Sequence, residues 1–195
     1  MTVGPSELCD VPTDLPVLAD EVVFHGHVWD VLRQTVDLGA AGRVIRDFIR
    51  HPGAVGVLAI DDDDRVLLVR QYRHPVRAML WELPAGLCDM PGEPFEVNAR
   101  RELWEETGYE ADHLEPLLDV LLTPGSSSER LVLFLGSGVR RTDRAPHEAH
   151  GEEHGMEVAW WPLTEVVDGV LAGRLRNPSL VLGVLALTAR RHRDA

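Results

Sequence analysis

The sequence has few cysteines and no long apolar run. Among 195 residues only Cys9 and Cys88 are cysteine, too few for a disulfide framework and typical of a protein that works in a reducing cytoplasm. Residues 1–20 contain no basic head followed by an apolar stretch, and apolar runs elsewhere are short or interrupted. We therefore expect a cytoplasmic protein with neither a signal peptide nor a membrane span.

Basic residues are also scarce relative to acidic ones. The chain has 19 Lys and Arg against 32 Asp and Glu, which gives a formal net charge of -13. Nucleic-acid backbones and anionic membrane surfaces would be repelled, so neither is expected as a partner. An anionic small substrate would need metal ions and a few placed arginines to receive it.

The stretch 83–109 organises the rest of the chain, and its second half predicts one helix over residues 94–107. Pro94 suits the first helical position, and Gly108 suits the left-handed residue that ends a helix. A buried stripe with a spacing of four residues is expected at Phe95, Ala99 and Leu103.

Three carboxylates fall on another face of this helix, at Glu102, Glu105 and Glu106. Like charges at such spacing destabilise an isolated helix by roughly 0.2–0.5 kcal/mol per pair, so the pattern calls for a counter-charge. A divalent cation would supply that charge, and ligands that are all oxygens favour Mg²⁺, with Mn²⁺ as a substitute. The alternative for an arbitrary Glu-x-x-Glu-Glu is a solvated acidic face.

The context favours the metal, because residues 101–109 resemble the core of the Nudix hydrolase signature. Glu93 stands eight residues before Arg101, as that signature requires. One departure is that the opening glycine is Gly86, although the signature places it at Leu87. We interpret the extra residue as a lengthened surface turn around residues 89–92, which loops tolerate at little cost.

Four further segments resemble the ADP-ribose pyrophosphatase subfamily of Nudix hydrolases. They occur in the expected order, at residues 51–55, 69–74, 81–86 and 123–129. The resemblance implies an α/β fold, the Nudix α/β/α sandwich with a mixed sheet, over residues 51–195. It also implies an N-terminal β-hairpin subdomain over residues 1–50 that mediates a homodimer.

The resemblance also implies roles for individual residues, all of them in the hydrolysis of a nucleoside diphosphate linked to another moiety. The metal ligands would be Glu102, Glu106, the carbonyl of Ala85 and, assisting them, Glu105. Glu93 and Arg101 would form an ion pair that holds loop to helix. The candidate substrate-binding residues are Arg73 for a phosphate, Glu129 for ribose hydroxyls, Arg46 across the dimer interface, and Leu87 beside the signature loop. Independently of the resemblance, Trp29 is a candidate for stacking on a base, and the alternative is a core or interface aromatic.

The acidic segment 146–155 contains three histidines, but no nearby cysteine, and glycines that prevent a rigid helix, so we do not expect a zinc site. The resemblance makes it a loop that brings a general base to the attacking water. Glu152 matches the base best, Glu153 is the reserve, and Glu105 on the helix is the third catalytic candidate.

The remaining elements follow from pattern. Two strands, Glu21–Leu38 and Arg43–Arg50, are expected to form the N-terminal hairpin around residues 39–42. A second hairpin is expected to join residues 54–60 and 65–72 across a solvated turn of four aspartates. Two C-terminal helices are expected, the first capped by Thr164 with Val167, Val170 and Leu171 inward, and the second starting at Asn177-Pro178.

The predicted function is Mg²⁺-dependent hydrolysis of ADP-ribose, or a related nucleoside diphosphate sugar, to AMP and ribose 5-phosphate. One alternative is a Nudix hydrolase for another nucleotide sugar, NADH or an oxidised nucleoside triphosphate. The other is a non-catalytic Nudix module that senses a nucleotide, although such a module is expected to lose metal carboxylates.

Overall fold

A computed structural model describes residues 8–143 and 156–193. The chain divides into two compact units, Met1–Arg50 and His51–Ala195. In the first unit three antiparallel strands form one sheet in the order β1-β2-β3. They are β1 (Val17–His25), β2 (Asp30–Asp37) and β3 (Arg43–Arg50).

The hairpin expected around residues 39–42 is confirmed between β2 and β3, but the single strand expected over Glu21–Leu38 is wrong. This stretch turns back on itself after His25, so that β1 pairs with β2. A Cβ atom at Gly26 would lie 2.3 Å from the backbone oxygen of Trp29. Only glycine permits so close a turn, and a lone glycine between His25 and His27 gave little sign of it.

The described part of the second unit contains seven strands and three helices. The strands are β4 (Ala54–Ala59), β5 (Arg65–Arg73), β6 (Ala78–Glu82), β7 (Ala85–Leu87), β8 (Tyr109–Leu121), β9 (Arg130–Arg141) and β10 (Glu157–Pro162), and the helices are α1 (Phe95–Thr107), α2 (Leu163–Leu171) and α3 (Pro178–Arg193). A four-stranded sheet has the order β7-β4-β9-β8, and a three-stranded sheet has the order β10-β5-β6. The four-stranded sheet is mixed, because β4 and β9 run parallel while its other pairs are antiparallel.

Alternating side chains on β4 divide the core of this unit into two layers. Val55 and Val57 belong to the apolar cluster that includes Ala99 of α1. Leu58 belongs to the cluster that includes Leu180 of α3. Because successive strand residues point to opposite faces, helices cover the sheet on both sides, which is the expected α/β/α arrangement.

The second predicted hairpin is wrong as a pair of neighbouring strands. β4 and β5 belong to different sheets and share one isolated bridge, between Ile60 and Val66. The turn itself was predicted correctly: the carboxylate of Asp61 accepts hydrogen bonds from the backbone N–H groups of Asp63 and Arg65. Local pattern located both strands and the turn, but long-range pairing decided their neighbours.

The helix ends were predicted to within one or two residues. Pro94 is the N-cap of α1 rather than its first residue, and Gly108 ends the helix at φ +71° as expected. Pro162, not Thr164, precedes α2, and Leu171 is 73% exposed rather than inward. Asn177 accepts a hydrogen bond from the N–H of Leu180, as predicted. No helix within the described ranges is long and apolar enough to cross a membrane.

Candidate active site

The site begins where β6 passes into β7, at the edge of the four-stranded sheet. The carbonyl of Pro84 accepts a hydrogen bond from the N–H of Val57 at 2.9 Å. In the next residues Ala85 pairs with Gly56 and Gly86 with Val55 across β4. These contacts fix the backbone of the two signature-loop residues that face α1.

Glu102 packs directly on Gly86. A Cβ atom at position 86 would lie 2.0 Å from Cδ of Glu102, so no other residue fits beside this carboxylate in its present position. The extra residue of the loop lies beyond Gly86, and residues 89–92 form an exposed turn, as the sequence predicted. The lengthened loop therefore leaves the glycine and the helix in contact.

Glu106, one turn further along α1, is tied to the same backbone. Its Oε2 atom accepts a hydrogen bond from the N–H of Ala85 at 2.9 Å. Glu102 and Glu106 thus both lie against the segment Ala85–Gly86. The carboxylates of α1 and this strand end therefore lie together, and their role as metal ligands stays a prediction.

Arg101 holds the acidic residues around it. Its Nη1 atom donates to Oε1 of Glu102 at 2.7 Å and to Oε2 of Glu105 at 3.0 Å. Its Nη2 atom donates to Oε2 of Glu93 at 3.2 Å and to Oδ1 of Asn98 at 2.9 Å. The Glu93–Arg101 ion pair expected from the motif is therefore present, with three further acceptors that the sequence did not predict.

This arrangement corrects the argument that only a cation balances the three glutamates. Arg101 already supplies a counter-charge to Glu102 and Glu105. Consistent with that, no group of three acidic, imidazole or thiol side chains in the described ranges is gathered as a ready metal cage. The guanidinium of Arg101 holds the carboxylates of Glu102 and Glu105 near one another, and the backbone N–H of Ala85 holds that of Glu106.

Electrostatics single out Glu102 among these groups. Burial raises its pKa to about 7, with Glu105 and Asp89 adding to the rise and Arg101 opposing it. For Arg101, burial alone would lower the pKa, but hydrogen bonds and charges from the surrounding glutamates outweigh burial and raise it. The Glu102 side chain is 14% exposed, packs on a glycine and has a raised pKa, so a bound cation would stabilise its charged form.

The residues fit a divalent cation with oxygen ligands. Glu102, Glu105 and Glu106 offer carboxylate oxygens on one face of α1, and Ala85 offers backbone oxygen on the facing segment. Mg²⁺ binds such sets and retains several waters, so a complete protein cage is not required. Donor chemistry, rather than an assembled cage, is what favours the metal here.

Two candidate substrate residues lie on well-anchored side chains of the same unit. Arg73, at the end of β5, forms a forked ion pair with Glu82, whose side chain is 2% exposed. Glu129 lies beside the buried ring of His51, with Nε2 and Oε1 4.0 Å apart. The Nδ1 atom of His51 accepts the N–H of Gly53, so the neutral ring carries its proton on Nε2, toward Glu129.

The other candidates are placed differently. The carbonyl of Leu87 accepts a hydrogen bond from Nδ2 of Asn98, which ties the signature loop to α1. Trp29 and Arg46 lie in the N-terminal unit, where Trp29 is exposed and Arg46 contacts the carbonyl of Ile45. Glu152 and Glu153 lie outside the described residues.

Comparison with known proteins decides the family. A family model described as NUDIX domain matches residues 50–180 of this chain. The chain belongs to the Nudix family. Its ADP-ribose pyrophosphatase relative from Mycobacterium tuberculosis is 39% identical over 176 residues, covering 90% of this chain and 84% of the relative. The chain is accordingly a hydrolase of the Nudix pyrophosphatase type.

Other Nudix relatives differ in the substrate that their names give. The GDP-mannose pyrophosphatase of Yersinia enterocolitica is 28% identical over 166 residues, covering 82% of this chain and 84% of that protein. The crystal structure of an ADP compounds hydrolase matches with a TM-score of 0.77 over 96% of this chain and 99% of the other, at 19% identity. That likeness confirms the Nudix α/β/α sandwich.

Three polar residues of this Nudix chain escaped the sequence analysis: Glu82, Asn98 and His51. Each is buried or has a buried side chain and contacts a candidate site residue. Glu82 interrupts an otherwise apolar strand, and Asn98 falls next to Ala99 on the buried side of α1. A charged or amide residue at a core position is the sign that points to such groups.

Proposed function

We propose that this Nudix enzyme hydrolyses the pyrophosphate bond of ADP-ribose to AMP and ribose 5-phosphate, with Mg²⁺ or Mn²⁺ as cofactor. The observation that supports this most is the contact of Glu102 and Glu106 with the segment Ala85–Gly86. The relationship to the mycobacterial ADP-ribose pyrophosphatase supports the choice of substrate.

The proposed division of labour follows from charge and position. Bound by Glu102, Glu106 and the carbonyl of Ala85, the metal supplies Lewis-acid neutralisation of the pyrophosphate charge. Glu105, held by Arg101 at 3.0 Å, assists from the neighbouring helix position.

Substrate orientation falls to side chains outside the signature helix. Arg73 receives a phosphate with its planar fork, because guanidinium matches phosphate geometry. Glu129 accepts hydrogen bonds from ribose hydroxyls, and Leu87 flanks the substrate beside the loop. Glu152, with Glu153 as the alternative, takes a proton from the attacking water.

The N-terminal unit is proposed to form a homodimer that completes the substrate site with Trp29 and Arg46. Several large apolar side chains are exposed on its sheet and on the turn between β1 and β2, among them Val17, Leu18, Phe24, Val28, Trp29 and Ile45. A peripheral sheet with this much exposed apolar surface is typical of an interface. Light scattering at micromolar concentration should give the mass of a dimer, and a chain without residues 1–50 should be inactive and monomeric or aggregated. A full-length monomer would contradict the dimer.

A substrate panel tests the activity. ADP-ribose, NADH, UDP-glucose, GDP-mannose and 8-oxo-dGTP are incubated with enzyme and Mg²⁺, and release of the nucleoside monophosphate is scored for each. We expect the highest kcat/KM for ADP-ribose and no turnover in EDTA. Preference for GDP-mannose would match the Yersinia relative instead. Tight binding of a nucleotide without any product would support a sensing module.

A further inference from the structure

Glu82 is a charged residue in the core of the second unit. Its side chain is 2% exposed, and both of its oxygens contact Arg73. Nε of Arg73 lies 2.9 Å from Oε1, and Nη2 lies 2.6 Å from Oε2. Nε2 of the buried Gln71 lies 3.5 Å from the same Oε2 atom.

Such a pair is a poor device for stability alone. Removing a carboxylate from water is costly, and a well-packed apolar pair of similar volume is often at least as stable. What the fork does provide is direction. Because the guanidinium is rigid and planar, hydrogen bonds to Nε and Nη2 fix the orientation of the whole group.

The strand register explains why Glu82 reaches Arg73. In the antiparallel pair of β5 and β6, Val69 lies opposite Glu82 and Arg73 lies opposite Ala78. Alternate residues of β5 point to the same face, so Gln71 and Arg73 lie on one side with Glu82. The arginine side chain extends back along the strand to the carboxylate and remains 38% exposed at the strand end.

Glu82 is also fixed relative to the catalytic helix. The fully buried Leu83 follows it, then Pro84, whose carbonyl accepts the N–H of Val57. The next residue, Ala85, donates its N–H to Glu106. One short, anchored segment thus carries both the carboxylate that orients Arg73 and the backbone against which the catalytic glutamates lie.

We propose that Glu82 is a positioning residue for this hydrolase, which aims the guanidinium of Arg73 at the pyrophosphate of the substrate in register with the catalytic helix. This inference rests on the proposed function, in which Arg73 contacts a phosphate. Glu82 itself touches neither substrate nor metal. Glu82 therefore affects the affinity for the diphosphate rather than the rate of the chemical step.

The test measures binding and turnover separately. Kd for a methylene analogue of ADP-ribose, in which the bridging oxygen is replaced, is measured by calorimetry, and KM and kcat are measured with ADP-ribose. Glu82→Gln keeps the side-chain volume but removes the charge. We expect Kd and KM to rise about tenfold, which corresponds to about 1.4 kcal/mol, because the guanidinium loses the charged partner that fixes its orientation; kcat should stay within threefold of wild type.

Double variants separate positioning from structure. If Glu82 acts through Arg73, Glu82→Gln combined with Arg73→Ala should bind no worse than Arg73→Ala alone. The proposal would be overturned if the losses of affinity in the two single variants added up in the double variant. It would also be overturned if Glu82→Gln lowered kcat as much as it raised KM and lowered the melting temperature as well. Glu165→Gln, the same substitution at an exposed residue of helix α2, is the matched control and should match wild type.

Arg73→Lys covers the case in which Glu82→Gln does not fold. Lysine keeps the charge next to an intact Glu82 but lacks the planar fork, so Kd should rise about as much as in Arg73→Ala. Wild-type affinity in Arg73→Lys would overturn the proposal. If the substrate panel selects another nucleoside diphosphate sugar, the ADP-ribose assignment fails, while the Glu82 test is decided with that substrate and its methylene analogue.

Discussion

The contact between Gly86 and Glu102 makes Gly86→Ala the most direct perturbation of the site. The added Cβ would lie 2.0 Å from Cδ of Glu102, whereas ordinary contact begins near 3.4 Å. The carboxylate must therefore move by more than an ångström. The backbone at position 86 need not move, because Gly86 does not have the positive φ that only glycine adopts easily.

The two consequences differ in size. Turning one glutamate away from its preferred rotamer costs about 0.5–1.5 kcal/mol, which lowers the melting temperature of a chain of this size by only a few degrees. Displacing a catalytic group by about 1 Å can lower the rate about 10²-fold. Gly86→Ala should therefore lower kcat/KM about 10²-fold and raise the Mg²⁺ concentration for half-maximal activity.

Gly173→Ala is the control with the opposite expectation, a loss of stability without a loss of activity, and is measured in the same thermal and kinetic assays. Gly173 has φ +69° with no atom within 4 Å of the added Cβ, so alanine there is strained but meets nothing. It should cost about 1–2 kcal/mol of stability and leave kcat/KM unchanged. If Gly86→Ala retains kcat/KM within threefold of wild type, the position of Glu102 does not matter for catalysis and the site assignment is wrong.

Three further predictions concern the carboxylates. Glu106→Gln should lose most activity and, without metal, should melt no lower than wild type if its charge is mainly repulsive; a clear fall would make its hydrogen bond from Ala85 structural. Glu152→Gln should lower kcat by about 10²–10⁴ with little change in KM, and Glu153→Gln should be milder in the same steady-state assay. In EDTA, the raised pKa of Glu102 gives stability that is complete below about pH 4.5 and is lost as pH rises through about 7. The free energy of unfolding of Glu102→Gln, measured from thermal melts, should therefore exceed that of wild type by up to about 3 kcal/mol at pH 8, and this advantage should be lost at pH 5. A variant that is less stable than wild type at both pH values would refute the pKa argument.

The signature helix was predictable because its information is local. The left-handed Gly108 and the four-residue spacing of Ala99 and Leu103 all lie within one segment, and the helix ends where they indicate. Strand neighbours were not predictable in this way. The separation of β4 from β5 depends on β9, which lies some 70 residues later in the chain and pairs with β4 in parallel.

The acidic side chains of the site were predicted, but their partners were not. The sequence places Arg101 one residue before Glu102 and four before Glu105, and in the helix both carboxylates lie within reach of its guanidinium. The resemblance to the Nudix signature implied only one partner for Arg101, the carboxylate of Glu93. An arginine has five N–H donors, and in a crowded acidic site they bind several acceptors at once.

The division of the three glutamates has a consequence for how the site is built. Glu106 is held by a backbone N–H, and Glu102 and Glu105 are held by one nitrogen of Arg101, so each carboxylate has a fixed position in the protein alone. Arg101 and the backbone therefore keep the three carboxylates in position without a metal, although burial still raises the pKa of Glu102. Ligands that are already positioned need not be ordered when a cation and a pyrophosphate arrive, which is the condition under which electrostatic stabilisation is most effective.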